Sequence, residues 1–129
     1  MADRLTIDEM LAAARTRIRR YSPEEAAAAA MAGAVLVDTR SSGDVAAEGR
    51  IPGSVYIHRN VLEWRCDPAS GYSDPRVHDL AAKLIVVCND GYSSSLAAAS
   101  LLELGFANAG DLIGGFRGWV AAGLPVERD

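Results

Sequence analysis

The chain has 129 residues, of which 50% are hydrophobic and 23% charged, and this predicts one globular domain with a single core. Its net charge of -4 argues against nucleic acid or an anionic membrane as a partner. The longest apolar run, residues 26–37, is too short to span a bilayer, and the first ten residues lack the apolar region of a secretory signal. Two cysteines make no disulfide framework, so we expect a cytoplasmic protein with free thiols.

Two helices are predicted at the start of the chain. The first covers residues 5–20, where Thr6 and Glu9 form a capping box. Four arginines crowd its end, and we interpret them as a solvated helix terminus that suits the helix dipole: Arg15, Arg17, Arg19 and Arg20. The second helix takes Ser22 as its N-cap and stops at Gly33.

Strands and helices then alternate. Apolar runs predict strands within residues 34–39, 54–57, 84–88 and 109–113. Helical patterns lie at residues 60–65, capped by Asn60, at residues 95–104, stopped by Gly105, and at residues 116–123. Because strands buried on both faces read as continuous apolar runs, we expect an α/β fold with a parallel sheet covered by helices.

Cys88 stands at the carboxyl end of one of these predicted strands. In open α/β sheets ligands bind beyond the carboxyl ends of strands, and the free N–H groups of the following helix attract anions. Gly91 permits positive φ or a close backbone approach, and Ser93 and Ser94 offer hydroxyls. This context predicts a nucleophilic thiolate, although Asp90 should raise the pKa of the thiol unless its carboxylate points away.

Three further sets of residues bear on the site. Arg59 and Arg65 are candidates for substrate binding, since no cation lies between Cys88 and the next helix. Cys66, which we expect to be a half-buried loop thiol, can alternatively resolve a persulfide into a disulfide. The cysteines and histidines have no metal-site spacing, so we predict neither a metal nor a cofactor.

Four segments in order resemble the rhodanese-like sulfurtransferase family. They are VLVDTR at residues 35–40, GRIPGSVYI at residues 49–57, the loop and helix from Cys88, and LIGGFRGWVAAGLPV at residues 112–126. The resemblance implies a three-layer fold with a central parallel sheet and helices on both faces. It divides the chain into an N-terminal helical extension, residues 1–20, and a rhodanese-like domain, residues 21–129, in which Asp38 and Arg40 brace a strand end.

The resemblance also implies an activity. Cys88 would take a sulfane sulfur from a small-molecule donor such as thiosulfate, hold it as a persulfide and pass it to a thiophilic acceptor. The active-site loop that would hold this persulfide follows the cysteine directly: Asn89, Asp90, Gly91, Tyr92, Ser93 and Ser94.

The loop departs from the family in its charge. Many members have Arg five residues after the cysteine, where this chain has Ser93, as does a single-domain branch of the family. The alternative is therefore a non-catalytic sulfur relay or sensor that receives sulfur from a protein donor. A phosphatase-like enzyme would need Arg at the position of Ser94 to clamp phosphate.

Overall fold

A parallel sheet of five short strands organises the part of the chain that the computed structural model describes, residues 4–128. The strands are β1 (Arg19–Tyr21), β2 (Val35–Asp38), β3 (Val55–Tyr56), β4 (Leu84–Val87) and β5 (Gly110–Leu112). Their order across the sheet is β1-β5-β4-β2-β3, and every neighbouring pair is parallel. The predicted fold class is confirmed. Because β4 is the central strand, its carboxyl end lies in the middle of the edge formed by the strand ends.

Six α-helices accompany these strands within the described residues, the first before β1, the last after β5 and the others between strands: α1 (Ile7–Arg17), α2 (Pro23–Met31), α3 (Ser42–Glu48), α4 (Leu62–Cys66), α5 (Ser93–Glu103) and α6 (Gly115–Ala121). The capping boxes of α1 and α2 form as the sequence predicts. A 3-10 turn, Arg59–Val61, precedes α4. None of the helices in residues 4–128 has the length and apolar character needed to cross a membrane.

The sheet separates two apolar cores because neighbouring residues of a strand point to opposite faces. Leu84 and Val86 of β4 pack with α4 and α5 on one face, and α1 lies against α5. Ile85 and Val87 pack on the other face with Ala26 of α2 and with α6. All four side chains of β4 are buried, which gives the three layers that the sequence predicts.

Two local predictions are wrong, and one helix was not predicted. The first helix ends at Arg17, and Arg19–Tyr21 forms the edge strand β1 beside β5. Helix α3 was not predicted, because it has no buried residue and therefore no apolar stripe. The turn before α4 is capped by the imidazole of His58, which accepts from the N–H of Asn60.

The described chain begins at Arg4 and ends at Arg128, so residues 1–3 and 129 of the proposed division into extension and domain lie outside it. The boundary at residue 20 falls inside β1. The division into residues 1–20 and 21–129 stays a proposal.

Candidate active site

Cys88 stands where β4 ends, and four residues, 89–92, separate it from the first residue of α5, Ser93. The strand is held rigidly at the centre of the sheet, whereas the loop between Cys88 and Ser93 curls around the sulfur atom. The Sγ atom accepts the backbone N–H of Gly91 at 3.2 Å and that of Ser94 at 3.4 Å. The predicted cradle of backbone donors at the start of a helix is therefore present.

The loop needs glycine at position 91. Gly91 has φ of 86°, and a Cβ atom there would lie 2.7 Å from the backbone nitrogen of Gly114. The turn that precedes α6 thus packs directly beneath the loop. Phe116 N–H donates to the Cys88 carbonyl at 2.8 Å, and a Cβ atom on Gly115 would lie 2.5 Å from the same oxygen. The paired glycines Gly114 and Gly115 therefore let two backbones meet.

The pKa of the Cys88 thiol is lowered, although its largest single influence, burial, acts to raise it. Hydrogen bonds from Ser94 and Ser93 and from the N–H of Gly91 outweigh that burial and favour the thiolate. The one hydroxyl proton of Ser94 is donated to Asp111 at 2.8 Å, so the Ser93 hydroxyl and the two N–H groups carry this stabilisation.

Asp90 does not face the sulfur. Its carboxylate accepts from Nη1 of Arg117 at 3.0 Å, and Arg117 also pairs with Glu48 at 3.1 Å. Half of the Asp90 side chain is exposed, 52%, so solvent screens its charge as well. The unfavourable effect that its position in the sequence suggested is thus largely avoided.

A cavity of about 360 Å³ opens beside the sulfur. It combines the end of β2, the start of α3 and the loop after Cys88. Its lining residues are Thr39, Arg40, Ser41, Cys88, Asn89, Asp90, Tyr92 and Ser93. Five of the seven residues that the sequence predicts for the catalytic cysteine and its loop therefore line one cavity. The other two, Gly91 and Ser94, donate their backbone N–H groups to the sulfur.

The second wall of this cavity is fixed by buried polar contacts. Arg40 lies within the protein, with Nη2 2.7 Å from the Asp38 carboxylate and the guanidinium stacked 3.8 Å from the Phe116 ring centroid. This is the bracing contact that the family resemblance implies. Asn89 donates from Nδ2 to Asp44 of α3 at 3.0 Å, which ties the loop to the same wall.

Arg59 and Arg65 are directed elsewhere and do not line the cavity. Arg59 pairs with Glu63 at 2.8 Å. Arg65 donates to the carbonyl of Tyr72 at 2.8 Å and stacks over its ring. A role for either arginine in substrate binding stays a prediction.

Cys66 is not the half-buried loop thiol that we expected. It is the last residue of α4 and is fully buried, with burial as the main reason that its pKa is raised to about 12. The charges of Glu63 and Asp74 raise it further. A neutral thiol inside a core cannot readily resolve a persulfide.

The sequence analysis missed two contacts to the loop. Arg15 and Arg20, interpreted as part of a solvated helix end, both donate to the carbonyl oxygen of Gly91. Arg17 and Arg19 are exposed, as expected. No motif could have indicated these contacts, because the acceptor is a backbone atom far along the chain.

Comparison with known proteins agrees with this geometry. The family model for the rhodanese-like domain matches residues 22–122. The chain belongs to the rhodanese-like family. It is 38% identical over 104 residues to the thiosulfate sulfurtransferase GlpE of Stutzerimonas stutzeri, covering 81% of this chain and 86% of that protein. The predicted class of enzyme, a rhodanese-type sulfurtransferase, is therefore supported by relatives over most of the chain.

Solved structures extend the likeness to the N-terminal segment. A Rhodopseudomonas palustris protein of unknown function, described as a possible tyrosine phosphatase, superposes with a TM-score of 0.87 at 32% identity, over 98% of this chain and 99% of that one. The polysulfide-sulfur transferase of Wolinella succinogenes superposes with a TM-score of 0.73 at 25% identity, over 93% and 85% of the two chains.

Proposed function

We propose that this rhodanese-like protein moves a sulfane sulfur from a donor such as thiosulfate to a thiophilic acceptor through a persulfide on Cys88. The observation that carries the proposal is the position of the Cys88 sulfur. It accepts two backbone N–H groups and borders the cavity beside the loop. The same donors that favour a thiolate also suit the terminal, anionic sulfur of a persulfide.

The reaction needs two displacements at sulfur. The Cys88 thiolate attacks the outer sulfur of thiosulfate, the sulfur–sulfur bond of the donor breaks, and sulfite leaves with the bonding electron pair. An acceptor such as cyanide then takes the outer sulfur of the persulfide, and the electron pair of the broken bond returns to Cys88. Neither step requires a proton from the protein, which fits a cavity whose lining includes no histidine of residues 4–128.

A reducing cytoplasm suits this chemistry. Both cysteines are free thiols, and the reactive one must be reduced before it can take up sulfur. The proposed partners are accordingly a small-molecule donor and a thiophilic acceptor.

Intact-mass measurement after incubation with thiosulfate tests the proposal. We expect the wild type and Cys66→Ala to gain one sulfur atom each, while Cys88→Ser gains none. Cyanide should remove that atom and release thiocyanate. Sulfur that remains bound to Cys88→Ser, or thiosulfate turnover by that variant, would contradict a persulfide on Cys88.

A second candidate is the sulfur relay or sensor that works with a protein donor. Two charged side chains line the cavity among the described residues, and each is already paired: Arg40 with Asp38, and Asp90 with Arg117. The charge of each is offset by its partner, so a dianion such as thiosulfate gains little from them, although Nη1 of Arg40 makes no hydrogen bond within the described residues. Uptake of sulfur from a persulfidated protein, with none from thiosulfate, would favour this candidate over the first.

A phosphatase-like activity has less support. The residue six positions after Cys88 is Ser94, whose buried side chain donates to Asp111 and leaves the cavity without a phosphate clamp. Hydrolysis of an aryl phosphate that depends on Cys88 would reverse this ranking.

A further inference from the structure

The outer side of the sulfur-binding loop is held by two cations. The carbonyl oxygen of Gly91 accepts Nη2 of Arg15 at 2.8 Å and Nη2 of Arg20 at 3.0 Å. Hydrogen bonds from charged donors are stronger than those between neutral groups. One peptide group of the loop is thus fixed by two charge-assisted bonds from the N-terminal segment.

Both arginines are themselves anchored. Arg20 donates from Nε to the fully buried carboxylate of Asp111 at 2.9 Å. Asp111 also accepts the hydroxyls of Ser94 and Ser95, at 2.8 and 2.7 Å, and Arg15 donates to Ser95 at 3.1 Å. A single network therefore joins α1, β1 and β5 to the first turn of α5.

The two contacts fix the direction of one further backbone donor. Every described peptide bond is trans, and in a trans peptide the C=O and N–H groups point in opposite directions. Because the Gly91 carbonyl points to the arginines, the N–H of Tyr92 points away from them. Within residues 4–128 this N–H has no acceptor, and Tyr92 lines the cavity beside Cys88.

Resting on the function proposed above, we propose that Arg15 and Arg20 are positioning residues that turn the Tyr92 N–H toward the cavity. That N–H then donates to the outer sulfur of the persulfide or to the departing sulfite. Both arginines precede residues 22–122, which the family model matches. The contacts that position the Tyr92 N–H therefore come from the N-terminal segment, outside the matched domain. Arg15 also lies 5.5 Å from the Tyr92 ring centroid, which holds the same residue by its side chain.

Arg15→Met is the decisive variant, because Arg15 contacts no carboxylate among residues 4–128, so its loss leaves no buried charge there without a partner. We expect kcat/KM for sulfur transfer to fall about tenfold, since one transition-state donor is no longer held in place. The midpoint pH for alkylation of Cys88 should also rise, because the loop that carries the Gly91 N–H is held less firmly against the sulfur. Arg15→Lys should restore most of both properties.

Arg17→Met is the matched control, because Arg17 lies on the same helix and is exposed. It should change neither property. Arg20→Met should have an effect similar to that of Arg15→Met, with an added loss of thermal stability because Asp111 loses its cation.

An Arg15→Met variant with wild-type kcat, KM and alkylation profile would overturn the proposal. So would a variant that only melts at a lower temperature, since a merely structural contact would do that. The alkylation profile needs no sulfur donor. Failure of the wild type to take up any sulfur would therefore refute the proposed function. The pH profile of Cys88 alkylation would still show whether Arg15 and Arg20 position the loop.

Discussion

The two cysteines of this chain are both buried but differ in chemistry. Cys88 is 7% exposed and Cys66 is 0% exposed, yet the pKa of the first thiol is lowered while that of the second is raised to about 12. Cys66 ends helix α4 among apolar side chains, and the negative charges of Glu63 and Asp74 raise its pKa further. Cys88 precedes helix α5 and receives two backbone N–H groups.

The difference shows that burial alone does not decide whether a thiol reacts. Burial opposes ionisation in both places, and only Cys88 has hydrogen-bond donors that outweigh it. Those donors exist because a helix begins there, and the first N–H groups of a helix have no partner within it. The sulfur site is therefore a property of the strand, loop and helix together.

Selective alkylation measures the largest difference between the two thiols. With a pKa of about 12, roughly one Cys66 thiol in 10⁵ is ionised at pH 7, and it is also inaccessible. We expect Cys88 to react with iodoacetamide at least about 10³-fold faster at this pH. Peptide mapping of the labelled protein checks this, and unfolding in denaturant should make both thiols reactive. Equal labelling of the folded protein would refute the comparison.

Gly91→Ala should raise the pKa of the Cys88 thiol and so bring its reactivity closer to that of Cys66. The added Cβ atom would lie 2.7 Å from the Gly114 nitrogen and requires positive φ, so the loop must shift and withdraw its N–H from the sulfur. We expect a loss of about 10² in kcat and a higher pH midpoint for alkylation. Gly71→Ala is the control, because it also has positive φ but meets no atom within 4 Å. A normal rate in Gly91→Ala would show that the N–H is dispensable.

Substitution of Cys66 has the smallest expected effect on function. Cys66→Ser places a hydroxyl in a fully buried apolar site, which should lower the free energy of unfolding by about 1–3 kcal/mol. Sulfur transfer per folded molecule should not change. Denaturant titration and a steady-state assay measure the two quantities, and a fall in specific activity would assign Cys66 a part in the reaction.

The raised pKa of Cys66 also sets a pH dependence. Its contribution to stability is complete below the ordinary thiol pKa of 9.0 and is lost as pH rises toward the folded value of about 12. Cys66→Ala lacks the thiol, so it should lose less stability than the wild type across that interval. Parallel loss in the two proteins would contradict the raised value.

Much of the fold could be predicted from the sequence because its signals are local. Ser22, Pro23 and Glu25 mark the start of α2, and the apolar run before Cys88 marks the central strand. The position of Cys88 before a helix was also sufficient to predict the cradle of N–H donors. Patterns of this kind depend on neighbours within a few residues of each other.

The rest depends on partners that are distant in sequence. Arg19–Tyr21 has no apolar alternation, and it is a strand only because β5 lies beside it. Arg117 neutralises Asp90 from a different helix. Arg15 and Arg20 donate to the backbone carbonyl of Gly91. Because every residue has such a carbonyl, the sequence carries no signal for this contact.

The first strand of the chain pairs with the last one, and this order has a consequence for biosynthesis. On a ribosome β1 is made early but has no neighbour until β5 emerges, about ninety residues later. The turn that supports Gly91 and the Cys88 carbonyl comes later still, with Gly114 and Phe116. The sulfur cradle is therefore among the last parts to take shape, and a nascent chain carries its thiol without the surroundings that make it reactive.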